Sequence, residues 1–202
     1  MTDKRQFRLS GLPALGWLHE PSAAAVADGQ LSLGAGARTD WVTSPLTGDR
    51  SLNASALVFP AADEYVLSAR VAVSFADTFD AGVLVAYQDE RTWAKLCFEY
   101  SPQGRPMVVS VVTRGQSDDC NSVEIDRDWV YLRLARTGPA FVLHYSLDGT
   151  YWHFVRLFAL GPAGTATSTG FLAQSPCGEG VTATFSELRY EQWAIKDLRS
   201  GA

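Results

Sequence analysis

The feature that most constrains the fold of this chain is an alternation of apolar and polar residues that recurs along its length. In residues 65–75, Tyr65, Leu67 and Val71 fall on one face, whereas Ser68 and Arg70 fall on the other. Such alternation is typical of a half-buried β-strand, because successive strand side chains point to opposite faces. Comparable segments lie near residues 82–88, 93–100, 107–114, 129–136, 140–147, 150–158, 170–175 and 180–190, with shorter ones near 30–33, 40–43 and 54–59.

Turn-forming sequences, among them Pro102-Gln103-Gly104 and Asp148-Gly149, separate these segments. Many short strands at ~8–12-residue spacing, with no amphipathic helix among them, indicate an all-β antiparallel sandwich or barrel. Because such domains run to ~200–250 residues, we expect one β-sandwich domain over residues 1–202, with a core at about 17–190 and a short tail at 191–202. Within the tail, residues 191–198 could form a helical turn or two.

Charge and composition argue against several kinds of partner. The chain has 17 basic and 22 acidic side chains, a formal charge of −5, and no run of Lys or Arg. Nucleic acids and anionic membranes require a clustered positive field, so we expect neither as a partner. No segment resembles a secretory signal or approaches the ~18 apolar residues of a membrane span. We therefore expect a soluble, cytoplasmic protein.

The cysteines give a consistent expectation. Cys97, Cys120 and Cys177 are odd in number, widely spaced and without a C-x-x-C motif. A disulfide framework or a thiolate zinc site needs more cysteines at closer spacing. The pattern favours free thiols, although a pair such as Cys120 with Cys177 stays open.

One hairpin can be predicted in detail, because two alternating runs flank Asp148-Gly149. Glycine tolerates the positive φ that such turns require. A two-residue loop would place His144 opposite His153, and a three-residue loop with a bulge would place it opposite Trp152. The first register would bring the two histidines together, but two ligands do not make a metal site. We expect no metal and no cofactor.

An acidic run is the strongest enzymatic signal. Glu124, Asp126 and Asp128 are spaced at i, i+2 and i+4, which on a strand would project three carboxylates from one face. This resembles the catalytic stretch of jelly-roll β-glucanases. The run also directly precedes the apolar segment 129–134, which favours a polar turn. Asp118-Asp119-Cys120-Asn121 lacks calcium-loop spacing and is interpreted as a solvated acidic turn.

A polar strand face is the strongest binding signal. Trp93, Lys95, Cys97 and Glu99 alternate onto one face of a predicted strand. Charges on that face are too costly for the space between two sheets, so we expect it to be the outer face of a sheet. The following strand would add either Ser110, Val112 and Arg114 or Met107, Val109, Val111 and Thr113. Ions and aromatic rings on a curved sheet suit a sugar-like ligand.

Short motifs in order along the chain resemble one family, a domain of unknown function that includes yeast regulator-of-enolase type proteins. The similarity runs from Trp17 to about Tyr190. It is carried by Trp17-Leu-His-Glu-Pro21, Thr39-Asp40-Trp41, Asp80-Ala-Gly82, Thr92-Trp93-Ala-Lys95, Phe98-Glu99-Tyr100, Ser110-Val-Val-Thr-Arg114-Gly115, Ser117-Asp118, Tyr145-Ser-Leu-Asp-Gly149 with Trp152, and Ser175-Pro176.

The resemblance implies a concanavalin A-like lectin/glucanase sandwich of jelly-roll type, with a concave face. It supplies no established enzyme activity, and any sugar-binding role rests on analogy of fold. The sequence departs from the family pattern at two positions. Ala86 stands where a longer, often basic residue is expected, and Asp119 stands where an aromatic residue often follows the Ser-Asp pair.

We therefore predict a non-catalytic module that binds a carbohydrate or similar polyhydroxylated ligand on its concave face. Glu99 and Asp118 would accept hydrogen bonds, Lys95 and Arg114 would donate them, and Trp93 or Tyr87 would stack. The resemblance adds Ser117 to this set. The alternatives are a β-glucanase-type glycoside hydrolase using Glu124 and Asp126, and a protein-interaction or metabolic regulatory domain. The expected partners are accordingly a saccharide or another protein.

Overall fold

The computed structural model describes residues 8–202, and these residues are built from β-strands without an α-helix. The strands are β1 Gly16–His19, β2 Ala23–Ala27, β3 Gln30–Gly36, β4 Trp41–Thr43, β5 Arg50–Leu52, β6 Ser55–Pro60, β7 Glu64–Val73, β8 Ala81–Asp89, β9 Thr92–Tyr100, β10 Pro106–Arg114, β11 Gln116–Glu124, β12 Trp129–Thr137, β13 Ala140–Ser146, β14 His153–Ala159, β15 Ser168–Gln174 and β16 Gly180–Glu191.

Fourteen strands form two antiparallel sheets of seven strands. Sheet 1 has the order β1-β6-β15-β8-β9-β10-β11, and sheet 2 has the order β14-β13-β12-β7-β16-β3-β2. The remaining two, β4 and β5, form a separate hairpin. The prediction of an all-β antiparallel sandwich is confirmed.

The main core lies between the two sheets. Alternate residues of the long strands supply it, as the period-two pattern predicts, and the Phe171 ring of sheet 1 lies 5.1 Å from the Phe185 ring of sheet 2. The two sheets approach closely at Gly82, because a Cβ there would meet Val71 Cγ1 of sheet 2 at 2.7 Å. Burying each large apolar side chain stabilises the fold by about 1.5–3 kcal/mol.

The Asp148-Gly149 hairpin adopts neither predicted register. Tyr145 pairs with His153 and His144 pairs with Phe154, with a bulge at residues 143–144. The reason is a longer loop: Asp148 Oδ1 accepts hydrogen bonds from the backbone amides of Thr150 and Tyr151. The two histidines follow opposite phases of the alternation and do not face each other.

The tail prediction needs one correction. Residues 192–202 contain no helix; Ile195 and Leu198 pack instead on the outer face of sheet 2, against Val66, Ala135 and Val142. Within residues 8–202 no helix is long and apolar enough to span a membrane. Cys97, Cys120 and Cys177 are free thiols, as the pattern favours.

Candidate functional site

The outer face of sheet 1 carries the polar row predicted from the sequence. Trp93, Lys95 and Glu99 share this face of β9 with Cys97. The register places Thr113, Val111, Val109 and Met107 of β10 beside them, which is the second of the two predicted sets. We call this surface the Glu99 face.

The hairpin of β4 and β5 covers one end of the Glu99 face. The Trp41 ring lies 5.9 Å from the Trp93 ring and 5.5 Å from the Tyr87 ring. The Thr43 amide donates a 2.9 Å hydrogen bond to Ser117 Oγ, which also shares a hydrogen bond with Thr113 Oγ1. The hairpin is thus fixed to the sheet by one large ring and one buried polar bond.

Lys95 is the buried cation of this face, and its contacts come from two other segments. Its Nζ donates to Asp40 Oδ1 at 3.1 Å and to Gln174 Oε1 at 2.8 Å. Burial is the largest single effect and opposes the charged ammonium, but the Asp40 carboxylate, with smaller contributions from Cys97 and Glu99, outweighs it, and the pKa of Lys95 is raised. The ammonium therefore stays charged, with two of its three donors in use.

Glu99 lies four residues beyond Lys95 and has a different environment. Only 8% of its surface is exposed, yet its carboxyl makes no hydrogen bond or ion pair with any residue in 8–202. Loss of water is the largest effect on this group and raises its pKa to about 8, despite the opposing charge of Lys95. At neutral pH the side chain is therefore mainly a neutral acid that can both donate and accept a hydrogen bond.

The loop before β8 lies next to the Glu99 end of the face. The Phe79 amide donates a hydrogen bond to the carbonyl of Tyr100, the residue that follows Glu99. Gln174 Nε2 donates to the Phe79 carbonyl at 3.4 Å. Phe79 has φ of 70°, an uncommon conformation for a bulky residue, and its side chain is 37% exposed. An exposed ring is held here at the cost of backbone strain.

Two predicted site residues lie on the opposite side of sheet 1. Arg114 Nη1 donates to the Ala159 carbonyl of β14, and the Asp118 carboxylate forms a 2.9 Å ion pair with Arg156 of β14. Both contacts reach sheet 2, so the expectation that Arg114 and Asp118 share the Glu99 face is wrong. The register between β9 and β10 is the reason. Thr113 pairs with Trp93 and so points to the Glu99 face, and Arg114, the next residue, points to the opposite face.

The remaining three predicted residues lie on the Glu99 side but have other roles. Trp93 is fully buried beneath Trp41 and has no free face for a ligand. Ser117 is buried and its hydroxyl is bonded within the protein. Tyr87 lines a separate cleft of about 250 Å³ with His19 and Trp41. It lies six strand positions from the level of Glu99, or about 20 Å.

The acidic run does not form a three-carboxylate strand face. Strand β11 ends at Glu124, Ile125 turns into the core, and Asp126 and Asp128 lie in the bend that follows. Only Glu124 keeps a strand position, paired with Met107. The proposed pairing of Glu124 with Asp126 on one strand face is therefore wrong, because the strand ends between them.

Sequence reasoning missed three residues near Lys95. Asp40 and Gln174 bond to its ammonium, and Asp119 pairs with Val111 on the same face. Residues 118–121 belong to β11 and are not the solvated turn that was predicted. The Thr39-Asp40-Trp41 motif was visible in the sequence, but only the fold brings residue 40 next to residue 95.

Comparison with known proteins gives a family and a fold. The family described as "Protein of unknown function (DUF1349)" matches residues 17–193. A crystal structure of a functionally unknown protein from Saccharomyces cerevisiae is similar at 24% identity and a TM-score of 0.82, covering 89% of this chain and 96% of that one. No curated protein matches the chain.

Parts of larger carbohydrate-active proteins are also similar. The GH43 protein BlXynB from Bacillus licheniformis, as its K247S mutant, matches at 16% identity and a TM-score of 0.72, covering 94% of this chain and 38% of that one. A xylan beta-1,4-xylosidase from Bacillus halodurans C-125 matches at 16% identity and 0.70, covering 95% and 41%. This chain thus spans about two fifths of those proteins, and the likeness is one of fold.

Proposed function

The chain belongs to the family described as "Protein of unknown function (DUF1349)", and we propose that this member binds a carbohydrate or similar polyhydroxylated ligand on the Glu99 face without catalysis. The observation that carries the proposal is the buried carboxyl of Glu99, which has no hydrogen-bond partner within residues 8–202. The Glu99 oxygens are not among the fully buried, unpaired atoms of the described residues, so they keep contact with solvent and a ligand hydroxyl can replace the water there.

The protonation of Glu99 fits a hydroxyl group. A sugar hydroxyl both donates and accepts hydrogen bonds, and a neutral carboxylic acid does the same. Since burial raises the pKa of Glu99 to about 8, this form predominates at neutral pH. An ionised carboxylate would only accept hydrogen bonds from such a hydroxyl.

Two neighbours extend this chemistry. Lys95 retains one donor beyond its bonds to Asp40 and Gln174, and Gln174 also bonds the carbonyl of Phe79. The exposed Phe79 ring offers an apolar surface of the kind on which sugar rings stack. This ring takes the role that the sequence assigned to Trp93 or Tyr87.

The comparisons suggest which saccharides to try first. The solved structures that share the fold include a protein named as a xylan beta-1,4-xylosidase. Xylo-oligosaccharides are therefore the first probe, followed by a broad glycan array. The link to yeast regulator-of-enolase proteins remains a prediction.

Isothermal titration calorimetry with xylohexaose, after the array, tests the proposal. Glu99→Ala should weaken binding at least tenfold, roughly the effect of losing one well-formed buried hydrogen bond pair. Glu64→Ala, an exposed acid at the start of β7, is the matched control and should bind like the wild type. A folded wild type that binds no saccharide on the array would overturn the proposal.

Hydrolysis is the second candidate, and one observation favours it. Met107 pairs with Glu99 on one side and with Glu124 on the other, which places the two acids in one cross-strand row about 10 Å apart at Cα. Glu99 is buried and Glu124 is exposed, so their environments differ as those of an acid and a base do. Release of reducing sugar by the wild type but not by Glu124→Gln would establish this role.

A further inference from the structure

Three arginines meet at the end of sheet 1 away from Glu99. Arg91 lies in the β8–β9 turn, Arg114 ends β10, and Arg50 begins β5 of the covering hairpin. The Gly115 amide donates a 2.7 Å hydrogen bond to the Arg91 carbonyl, which joins the two turns. The bond from Thr43 to Ser117 holds the hairpin beside them. Backbone contacts therefore fix the positions of all three arginines.

These arginines line one cleft of about 470 Å³, together with Thr43, Gly48, Gly115 and Gln116. Among residues 8–202 no acidic side chain lines this cleft, although the chain as a whole carries more acidic than basic residues. An adjoining cleft contains the same three arginines and adds Asp89 and Glu90. The convergence of cations is thus local and does not reflect a generally basic protein.

The guanidinium groups are only partly neutralised. Arg50 forms a 2.7 Å ion pair with Glu90, and Arg114 donates to the Ala159 carbonyl. The Arg91 guanidinium has no hydrogen bond or ion pair within residues 8–202, and Asp89 is bonded instead to the Arg91 backbone amide. Like charges brought together repel one another unless an anion lies between them. Most of the donors in this cleft are free to bind such an anion.

We propose that this cleft binds an oxyanion-bearing small molecule, with Arg91 and Arg114 as the main ligands and Arg50 at the rim. Guanidinium groups bind carboxylate, phosphate and sulfate through paired, charge-assisted hydrogen bonds. The volume is within the range of small-molecule sites. This site is distinct from the Glu99 face and does not depend on the function proposed for that face.

Calorimetric titration at constant ionic strength tests the proposal with inorganic phosphate, sulfate and acetate as separate probes, and with acetamide, which has no hydroxyl group for the Glu99 face, as the neutral comparison. At least one anion should bind, and acetamide should not. Which anion binds most tightly distinguishes a tetrahedral oxyanion from a carboxylate. Absence of binding by all three anions would overturn the proposal.

Variants place the site. Arg91→Gln and Arg114→Gln should each weaken anion binding roughly tenfold, the loss expected for a charge-assisted hydrogen bond. Arg91→Lys should weaken it less, because the charge remains while the paired donors are lost. Arg105→Gln, an exposed arginine in the β9–β10 turn at the other end of sheet 1, and Glu99→Ala should leave it unchanged. Wild-type affinity in the double Arg91→Gln/Arg114→Gln variant, with a native melting temperature, would contradict the assignment.

Discussion

The outer faces of both sheets bury ionisable groups, but the two faces differ in the partners that these groups have. Each has a covering segment: the β4–β5 hairpin lies over the Trp93 end of sheet 1, and residues 192–202 lie over sheet 2. On sheet 2 the covering segment supplies partners, since Arg133 Nη2 donates to the Gly201 carbonyl and His144 Nε2 to the Leu198 carbonyl. On sheet 1 Asp40, directly before the hairpin, pairs with Lys95, but no residue in 8–202 pairs with the Glu99 carboxyl.

The difference indicates which face is structural and which is available for a ligand. Arg133 and His144 each keep one unpaired nitrogen, but each is anchored by at least one bond to the tail. Such bonds stabilise the fold and leave little for a ligand to gain. The Glu99 carboxyl has no protein partner within residues 8–202 and burial raises its pKa, and strongly shifted pKa values cluster at functional sites.

The largest expected effect comes from removing the cover of sheet 2. Truncation after Ala194 should lower the free energy of unfolding by about 5 kcal/mol, because Ile195 leaves the core and Arg133 and His144 lose their carbonyl partners. Urea denaturation measures the loss. Lys196→Ala, an exposed residue in the same segment, should behave like the wild type. A loss of less than about 1 kcal/mol in the free energy of unfolding would mean that residues 195–202 do not stabilise the outer face of sheet 2.

Glu99 should make sheet 1 less stable as the pH rises. The folded protein holds the Glu99 proton up to a pKa of about 8, whereas the unfolded chain releases it near 4.5. Stability therefore falls between these values and levels off above them. Glu99→Gln removes this dependence, so the variant should gain on the order of 4 kcal/mol relative to the wild type between pH 5 and 8.

Urea denaturation at several pH values checks this difference, with Glu64→Gln as the control. Parallel pH profiles for Glu99→Gln and the wild type would show that Glu99 is not a buried neutral acid. The comparison between the two faces would then lose its main support.

His144 should give sheet 2 the opposite pH dependence. Burial, with a smaller contribution from Arg133, lowers the pKa of His144 to about 4 from 6.5. The folded protein therefore binds fewer protons than the unfolded chain, and its stability is lost as the pH falls from 6.5 toward 4. His144→Gln keeps a donor for the Leu198 carbonyl and should remove a pH-dependent loss on the order of 3 kcal/mol. If the variant loses as much stability as the wild type between pH 6.5 and 4, this prediction is contradicted.

Lys95 should have the smallest effect of the four. Lys95→Met removes the donor to Asp40 and Gln174 while retaining most of the side-chain volume. We expect a loss of about 2 kcal/mol, because Gln174 Oε1 is left buried without this partner and Asp40 is partly open to water. Chemical denaturation measures it, with Lys196→Met as control. A gain in stability would indicate that Lys95, like Glu99, is held at a cost.

Much of the fold follows from the sequence because the inner faces alternate cleanly. The prediction for residues 129–136 corresponds to β12 at Trp129–Thr137, and similar agreement holds for β8, β9 and β10. Strand β11 was missed because its residues are polar on both faces, so no period-two signal exists. It forms because β10 offers it an unpaired edge, which is a tertiary effect.

The candidate site could be predicted only in part. Alternation along β9 correctly placed Lys95 and Glu99 on one outer face, because both lie on the same strand. Arg114 and Asp118 were misplaced because the phase of the following strand depends on the turn register, which a single sequence leaves open. Asp40 and Gln174 reach Lys95 from distant segments, and local patterning contains no information about such contacts.

The protonation of Glu99 tests the central claim most directly. Carbon-13 NMR of the glutamate carboxyl carbons, with Glu99→Gln to assign the resonance, gives its pKa in the folded protein. We predict a pKa of about 8, well above the ordinary 4.5. A pKa near 4.5 would show a solvated or paired carboxylate, and would contradict the account of the Glu99 face as a buried, unpartnered site.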